Sequence, residues 1–174
     1  MAGETVTERR GMQRTWVRVL LTALTVTVMT LIFFFSTEPA EQSDRTSGRI
    51  AMLVIHAVYP EYDRYPEKEQ QKVYDDIQFL VRKAAHFTEY LVLGIMIRLC
   101  IESWFGKKRF LNTTSWVYGT LYACTDELHQ LLTDGRSGQW QDVLLDSCGV
   151  LAGILITALI RRRRERKAGK SQCP

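Results

Sequence analysis

Charged and polar side chains interrupt three apolar stretches of this 174-residue chain. Charge inside or at the edge of a bilayer costs several kcal/mol unless it is paired or faces water, so such residues are candidates for a functional site. Histidine beside carboxylates is suited to proton transfer, and arginine binds phosphate or carboxylate through paired hydrogen bonds. In chain order the residues are Arg82, Lys83, His86, Glu89 and Tyr90, then Asp126, Glu127, His129 and Gln130, then Asp142 and Asp146.

Helical spacing places His86 at the centre of the first polar stretch. Lys83, His86 and Tyr90 are spaced i, i+3, i+7. Arg82, His86 and Glu89 are spaced i, i+4, i+7. Because residues three, four and seven apart share one side of a helix, we expect this stretch to present its polar groups to one neighbour.

The other two stretches show the same spacing. Asp126 and Gln130 are four residues apart, as are Asp142 and Asp146. The helix face that carries the two aspartates also carries two glycines, Gly149 and Gly153, four residues apart. Small residues at this spacing allow two membrane helices to approach closely. We therefore expect the aspartates of the third stretch to face another helix instead of lipid.

Four apolar segments must position these residues, and they predict an all-α integral membrane protein built as a four-helix bundle. About 20 apolar residues cover the hydrocarbon core of a bilayer. A secretory signal peptide is the alternative for the first segment, but its apolar core exceeds the usual length of about 7–15 residues and no small-residue cleavage site follows. The predicted spans are approximately 17–36, 77–104, 113–132 and 140–160.

Basic residues flank these segments at three places. These places share one side of the membrane only if all four segments cross it. They lie before the first span, at Lys107–Arg109 and at Arg161–Lys167. By the positive-inside rule both termini are then cytoplasmic, and the polar halves of spans two, three and four meet at the outer face. The chain divides into an N-terminal tail (1–16), a transmembrane domain (17–160) and a basic tail (161–174). The charge of that tail suits anionic lipid, and no nucleic-acid partner is expected.

The segment between the first two spans is expected to be partly helical. Ile50–Tyr59 is apolar but too short to cross the bilayer, so it predicts a short helix lying on the membrane surface or packed on the bundle. Pro66, followed by Glu67 and Glu69, is typical of a helix start, and this helix should continue into the second span.

The connection between spans three and four is expected to close a polar pocket at the outer leaflet. Gly135 and Gly138 allow a tight turn, and Arg136 between them would fold back over the helix ends. Ion pairs that merely hold the helices in register are the alternative explanation for the charges. The predicted core of the pocket is His86, Asp126, Arg136 and Asp142.

Neither a disulfide framework nor a metal site is predicted. The four cysteines form no C-x-x-C pair, and three of them lie in or beside apolar runs. A metal would require His86, His129, Asp126 and Glu127 to converge, and the order D-E-L-H lacks the histidine spacing of the H-E-x-x-H zinc sites. We therefore expect no metal and no cofactor.

Three segments carry a family resemblance: KAAHFTEYLVLG (Lys83–Gly94), TDELHQLLTDGRSGQWQDVLLDSCGVLAG (Thr125–Gly153) and FSTEPAEQS after the first span. Together they resemble the VanZ-like family, named for a membrane protein associated with low-level teicoplanin resistance in Gram-positive bacteria. The resemblance covers roughly residues 17–160, although FSTEPAEQS departs from the more usual F-S-S-Q-P. No established set of catalytic residues comes with this resemblance. The expected ligand-binding residues are Lys83, His86, Glu89, Tyr90, Asp126, Glu127, Gln130, Arg136, Asp142 and Asp146.

The leading functional hypothesis is a membrane protein that binds a lipid-linked or phosphate-bearing molecule of the cell envelope. Membrane lipids are then its partners, and the ligand is a cell-wall precursor or a phospholipid headgroup. A contribution to glycopeptide resistance would follow from the resemblance. The donors to the anion would be Arg82, Lys83, Arg136 and protonated His86.

Two other classes of function stay open. One is a lipid hydrolase or transferase in which His86 acts as nucleophile or base, Asp126 or Glu127 orients it, and Arg136 holds the anion. The other is a non-catalytic structural or partner-binding subunit of the membrane.

Overall fold

The computed structural model describes residues 6–132 and 138–170, and over these residues the chain is entirely helical apart from short connections. This confirms the predicted all-α class. A single 3₁₀ turn at Tyr62–Arg64 joins two of the helices. The α-helices are α1 (Val6–Ser36), α2 (Ala40–Val58), α3 (Glu67–Phe105), α4 (Leu111–Gln130) and α5 (Trp140–Lys170).

Three of these helices are long and apolar enough to cross a membrane. They are Gln13–Ser36 in α1, Glu67–Phe105 (α3) and Trp140–Ala168 in α5, and each contains an apolar stretch of membrane-crossing length. Helix α4, the predicted third span, does not belong to this group, since acidic and amide side chains fill its last turn and a half. A four-helix membrane bundle therefore stays a prediction.

Helix α3 is the centre of the packing and contacts the other four α-helices. Its closest neighbour is α5, because glycines at the contact let the two backbones touch. A Cβ atom on Gly149 would lie 2.6 Å from the Phe87 carbonyl oxygen, and one on Gly153 would overlap the Leu91 carbonyl oxygen. The predicted small-residue contact is thus present. The buried apolar core around it consists of Ile32, Tyr90, Leu93, Ile97, Ala123, Val150 and Ile154.

Helix α2 begins at Ala40, ten residues before the predicted helix at Ile50–Tyr59. That prediction was too short because it counted only the apolar part of the segment. The polar first half also becomes helical, since Pro39 precedes it and Gln78 of α3 donates hydrogen bonds to Asp44 O (3.0 Å) and Ser47 Oγ (3.3 Å). Helix α2 therefore packs on α3, and its polar first half takes part in that contact.

Helices α3 and α5 both extend beyond their predicted spans. Helix α3 begins directly after Pro66, as predicted, and runs 39 residues without interruption. At 1.5 Å per residue it measures about 58 Å, nearly twice the hydrocarbon core of about 30 Å, so its first turns project beyond that core. Helix α5 continues through the basic run at Arg161–Lys167 and ends at Lys170.

Candidate functional site

The polar residues of α3, α4 and α5 do come together at one end of the helix packing. Lys83 Nζ and Asp142 Oδ1 form an ion pair between α3 and the first turn of α5, with side chains 21% and 15% exposed. An acidic side chain in the first turn of a helix also interacts favourably with the helix dipole. Both charges are therefore satisfied inside the protein.

Glu127 ties the end of α4 to the start of α5. Its carboxylate accepts the backbone N–H of Gln139 at 2.9 Å and a side-chain N–H of Gln130 at 3.2 Å. Gly138 packs directly on this junction, since a Cβ there would lie 2.7 Å from the Glu127 carbonyl oxygen. Glu127, predicted as a ligand-binding residue, thus connects α4 to the start of α5, and Gln130, also predicted, supports Glu127 from within α4.

Asp126 and Asp146 are the most deeply buried acids of the site, with 3% and 0% of their surface exposed. Gln130 donates to Asp126 Oδ2 at 3.3 Å. Both Asp146 carboxylate oxygens, however, have no hydrogen-bond partner among the described residues. The Ser36 and Tyr90 hydroxyls lie beside the Asp126 carboxylate as nearby donors, but in the geometry shown neither makes a well-formed hydrogen bond to Asp126 Oδ1. We call Ser36, Tyr90, Asp126 and Asp146 the acidic cluster.

Buried polar atoms of folded proteins are nearly always hydrogen-bonded. An unpaired buried group costs about 1–3 kcal/mol, and a charged one costs more. The Ser36 and Tyr90 hydroxyls could satisfy Asp126 after a small rotation, whereas Asp146 needs a donor from another polar molecule, either water or a ligand.

A cavity of about 240 Å³, here called the polar pocket, reaches Ser36 and Asp126 from the side of α1 and α2. His86 and Glu89 of α3 line it, as predicted for the candidate site. Among the described lining residues the acids outnumber the arginines and lysines. The charged lining residues are Glu38, Arg82, Glu89 and Asp126, and hydroxyls come from Ser36, Ser43, Thr46 and Ser47.

Arg82 is held at the wall of the polar pocket by a residue that the sequence did not single out. Its guanidinium donates to Asp44 Oδ1 of α2 at 2.9 Å, with both side chains partly exposed. The predicted role of Arg82 and Lys83 as uncommitted anion donors is thus weakened, because each has an aspartate as partner. Asp44 lies in a segment that looked like a polar linker, and no pattern in it indicated this contact.

The structure does not place every remaining candidate residue at the polar pocket. His129 stacks on Phe33 of α1, with ring centroids 4.5 Å apart, and so contacts α1 instead of lining the pocket. Arg136, a predicted core residue, lies outside the described residues. Within the described part of the chain, no group of three or more histidine, cysteine, aspartate or glutamate side chains is arranged to hold a metal ion.

A second charged cluster, at the opposite end of the helices, was missed by the sequence analysis. Arg98 and Glu102 of α3 are buried and ion-paired at 2.9 Å. Arg98 also donates to Asn112 of α4 at 3.0 Å, and Arg161 of α5 reaches Glu102 at 3.1 Å. The i, i+4 spacing of Arg98 and Glu102 within an apolar stretch was the available signal.

Residues 21–161 match the family model described as VanZ/LLP1. The chain belongs to the VanZ/LLP1 family. The match includes the acidic cluster and most of the lining of the polar pocket, so the candidate site lies within the family domain. It also confirms the resemblance drawn from the sequence. No curated protein matches the chain, and no solved structure does so.

Proposed function

We propose that this VanZ-family membrane protein binds the polar headgroup of a cell-envelope lipid in the polar pocket. The observation that carries the proposal is the acidic cluster. Asp126 and Asp146 are almost fully buried, and both Asp146 oxygens and Asp126 Oδ1 lack a well-formed hydrogen bond from the described residues. Asp126 lines the polar pocket and Asp146 does not, so a headgroup bound there would donate to Asp126.

The unsatisfied carboxylate oxygens indicate the chemistry of that headgroup. Carboxylate oxygens accept hydrogen bonds, so their partner carries hydroxyl or amino donors. Arg82 uses one guanidinium nitrogen for Asp44 and is 39% exposed, so it keeps further donors for an adjoining phosphate, and His86 lines the same cavity. A headgroup with both features, a phosphate followed by a hydroxylated or aminated group, fits better than a bare phosphate. Phospholipids and lipid-linked cell-wall precursors both meet this description.

The same proposal includes a four-span topology with both termini in the cytoplasm. Helices α1, α3 and α5 are apolar enough to cross a membrane, and α4 lies against α3 and α5. The basic residues at Lys107–Arg109 and Arg161–Lys167 lie at the end opposite to the acidic cluster, as the positive-inside rule requires. The polar pocket then faces outward, where envelope lipids and glycopeptide antibiotics meet.

Catalysis at this site is a second candidate function. His86 and Asp126 line the same pocket, as a hydrolase or transferase that uses histidine as nucleophile or base would require. Purified protein should then release phosphate or headgroup from lipid vesicles, and this activity should disappear in His86→Gln. Binding without release supports the first candidate.

The decisive experiment compares Asp126→Asn with the matched variant Asp75→Asn, which alters an exposed aspartate of α3. Both are expressed in a host in which the wild-type protein changes teicoplanin susceptibility or surface-lipid composition, and their amounts in the membrane are measured. Asp126→Asn should abolish the effect at an unchanged protein level, whereas Asp75→Asn should retain it. Equal effects of the two variants would contradict the proposal. Loss of the Asp126→Asn protein from the membrane would indicate a purely structural role.

A further inference from the structure

An apolar groove runs between α1 and α3 on the surface of the protein. Its volume is about 600 Å³, within the usual range of about 300–1,000 Å³ for ligand sites. We call it the α1–α3 groove. The residues that line the groove but not the polar pocket are Val28, Leu31, Ala84, Thr88 and Val92.

The α1–α3 groove is continuous with the polar pocket. The two cavities share six lining residues from α1, α2 and α3: Ile32, Phe35, Ile50, Val81, Ala85 and Glu89. The polarity of the lining residues falls from the polar pocket to the far end of the groove. Ser36 and Glu38 mark the polar end, and Val28 marks the apolar end.

The groove extends from the polar pocket into the apolar part of α1. Ser36 and Val28 are eight residues apart in one helix, which corresponds to about 12 Å along its axis. Both lie within the segment of α1 that is apolar enough to cross a membrane. Leu31 and Val92, one on each wall, are exposed, so the groove is open to the lipid beside the protein.

The hydrogen-bonding capacity of the residues that line the groove favours one kind of occupant. Among the described residues that line the groove, Thr88 alone carries a hydroxyl, and that hydroxyl already donates to the Ala84 carbonyl oxygen at 2.7 Å. Apart from Glu89 at the polar end, the other described lining residues have apolar side chains. An extended peptide segment would leave its backbone groups unsatisfied there, whereas a hydrocarbon chain has no such groups.

We infer that the polar pocket and the α1–α3 groove together hold one amphiphile. Its hydroxylated or aminated headgroup lies at the acidic cluster, one hydrocarbon chain lies between α1 and α3, and the molecule enters sideways from the bilayer. The headgroup half of this inference rests on the proposed function. The chain half rests on the groove alone.

Photolabelling of the purified full-length protein in vesicles tests the inference. The probe is phosphatidylglycerol with a diazirine in its acyl chain, and its control is the matching phosphatidylcholine, whose headgroup has no hydroxyl or amino donor. The adducts are mapped by peptide mass spectrometry. With the phosphatidylglycerol probe they should concentrate on the two walls of the groove, around Val28–Leu31 and Thr88–Val92.

Two variants that fill the groove from opposite walls complete the test. Ala84→Trp and Val28→Trp should each reduce adducts in the groove by about tenfold or more, because the added indole ring occupies the space of the hydrocarbon chain and removes its packing contacts. Leu155→Trp, on an exposed part of α5, is the matched control and should leave the adducts in place.

The outcomes separate this inference from the proposed function. Adducts spread evenly over the exposed faces of α4 and α5, with no effect of the groove variants, would overturn the inference of a bound chain. Adducts that stay in the groove but show no preference for phosphatidylglycerol, and no change in Asp126→Asn, would overturn the headgroup half and the proposed function with it. A preference for phosphatidylglycerol that Asp126→Asn removes would support both.

Discussion

Lys83 of α3 and Asp142 of α5 form an ion pair beside the acidic cluster, and both side chains are mostly buried. The contact fixes how α5 begins relative to α3. It also neutralises the Lys83 ammonium group, which therefore brings no free positive charge to the neighbouring acidic cluster.

Breaking the Lys83–Asp142 pair from one side should destabilise the protein. Lys83→Met leaves the Asp142 charge without its cation, and removal of one partner of a buried pair costs about 3–5 kcal/mol, with less expected here because both groups keep some exposure. Unfolding by SDS in mixed micelles measures the free energy. The double variant Lys83→Met/Asp142→Leu should recover much of the loss, and strictly additive losses would contradict a direct pair.

Gly153→Ala should destabilise the contact between α3 and α5. In an open helix this change stabilises by up to about 1 kcal/mol, because alanine is the better helix former. Here the added methyl group would overlap the Leu91 carbonyl oxygen, and overpacking costs about 1–3 kcal/mol. A lower thermal midpoint in detergent is the expected result. Leu155→Ile on the exposed side of α5 is the control. A higher midpoint for Gly153→Ala would show that α3 and α5 are further apart than the structure has them.

Glu102→Ala should be among the most destabilising single changes at the other end of the molecule. It leaves Arg98 buried without its carboxylate, for which about 3–5 kcal/mol is expected. Arg161→Ala removes only the more exposed partner of Glu102 and should cost about 1 kcal/mol or less. The same SDS titration compares the two, and equal losses would mean that Arg98 does not depend on Glu102.

The four-span topology predicts which cysteines an impermeant maleimide reaches in intact cells. In a background without native cysteines, Gln42→Cys places a thiol on an exposed position of α2, and restored Cys173 marks the C-terminal tail. The first should react in intact cells, and the second only after permeabilisation. The opposite pattern would place the polar pocket on the cytoplasmic side.

The sequence by itself determined the helical class, the apolar segments and the face of α5 that packs on α3. These features depend on periodicity within one helix, which a single chain displays directly. The spacing of Asp142, Asp146, Gly149 and Gly153 was enough to place them all on one contact face, and the burial of Asp146 agrees with it.

The tertiary structure alone decided which charges meet. The partner of Arg82 is Asp44, 38 residues earlier, and the partner of Lys83 is Asp142, 59 residues later. Such pairs depend on the rotation and separation of whole helices, which packing sets and local spacing does not encode. For the same reason the sequence indicated polar residues at one end of the bundle, but only the packed helices show unsatisfied carboxylates beside a pocket that opens into an apolar groove.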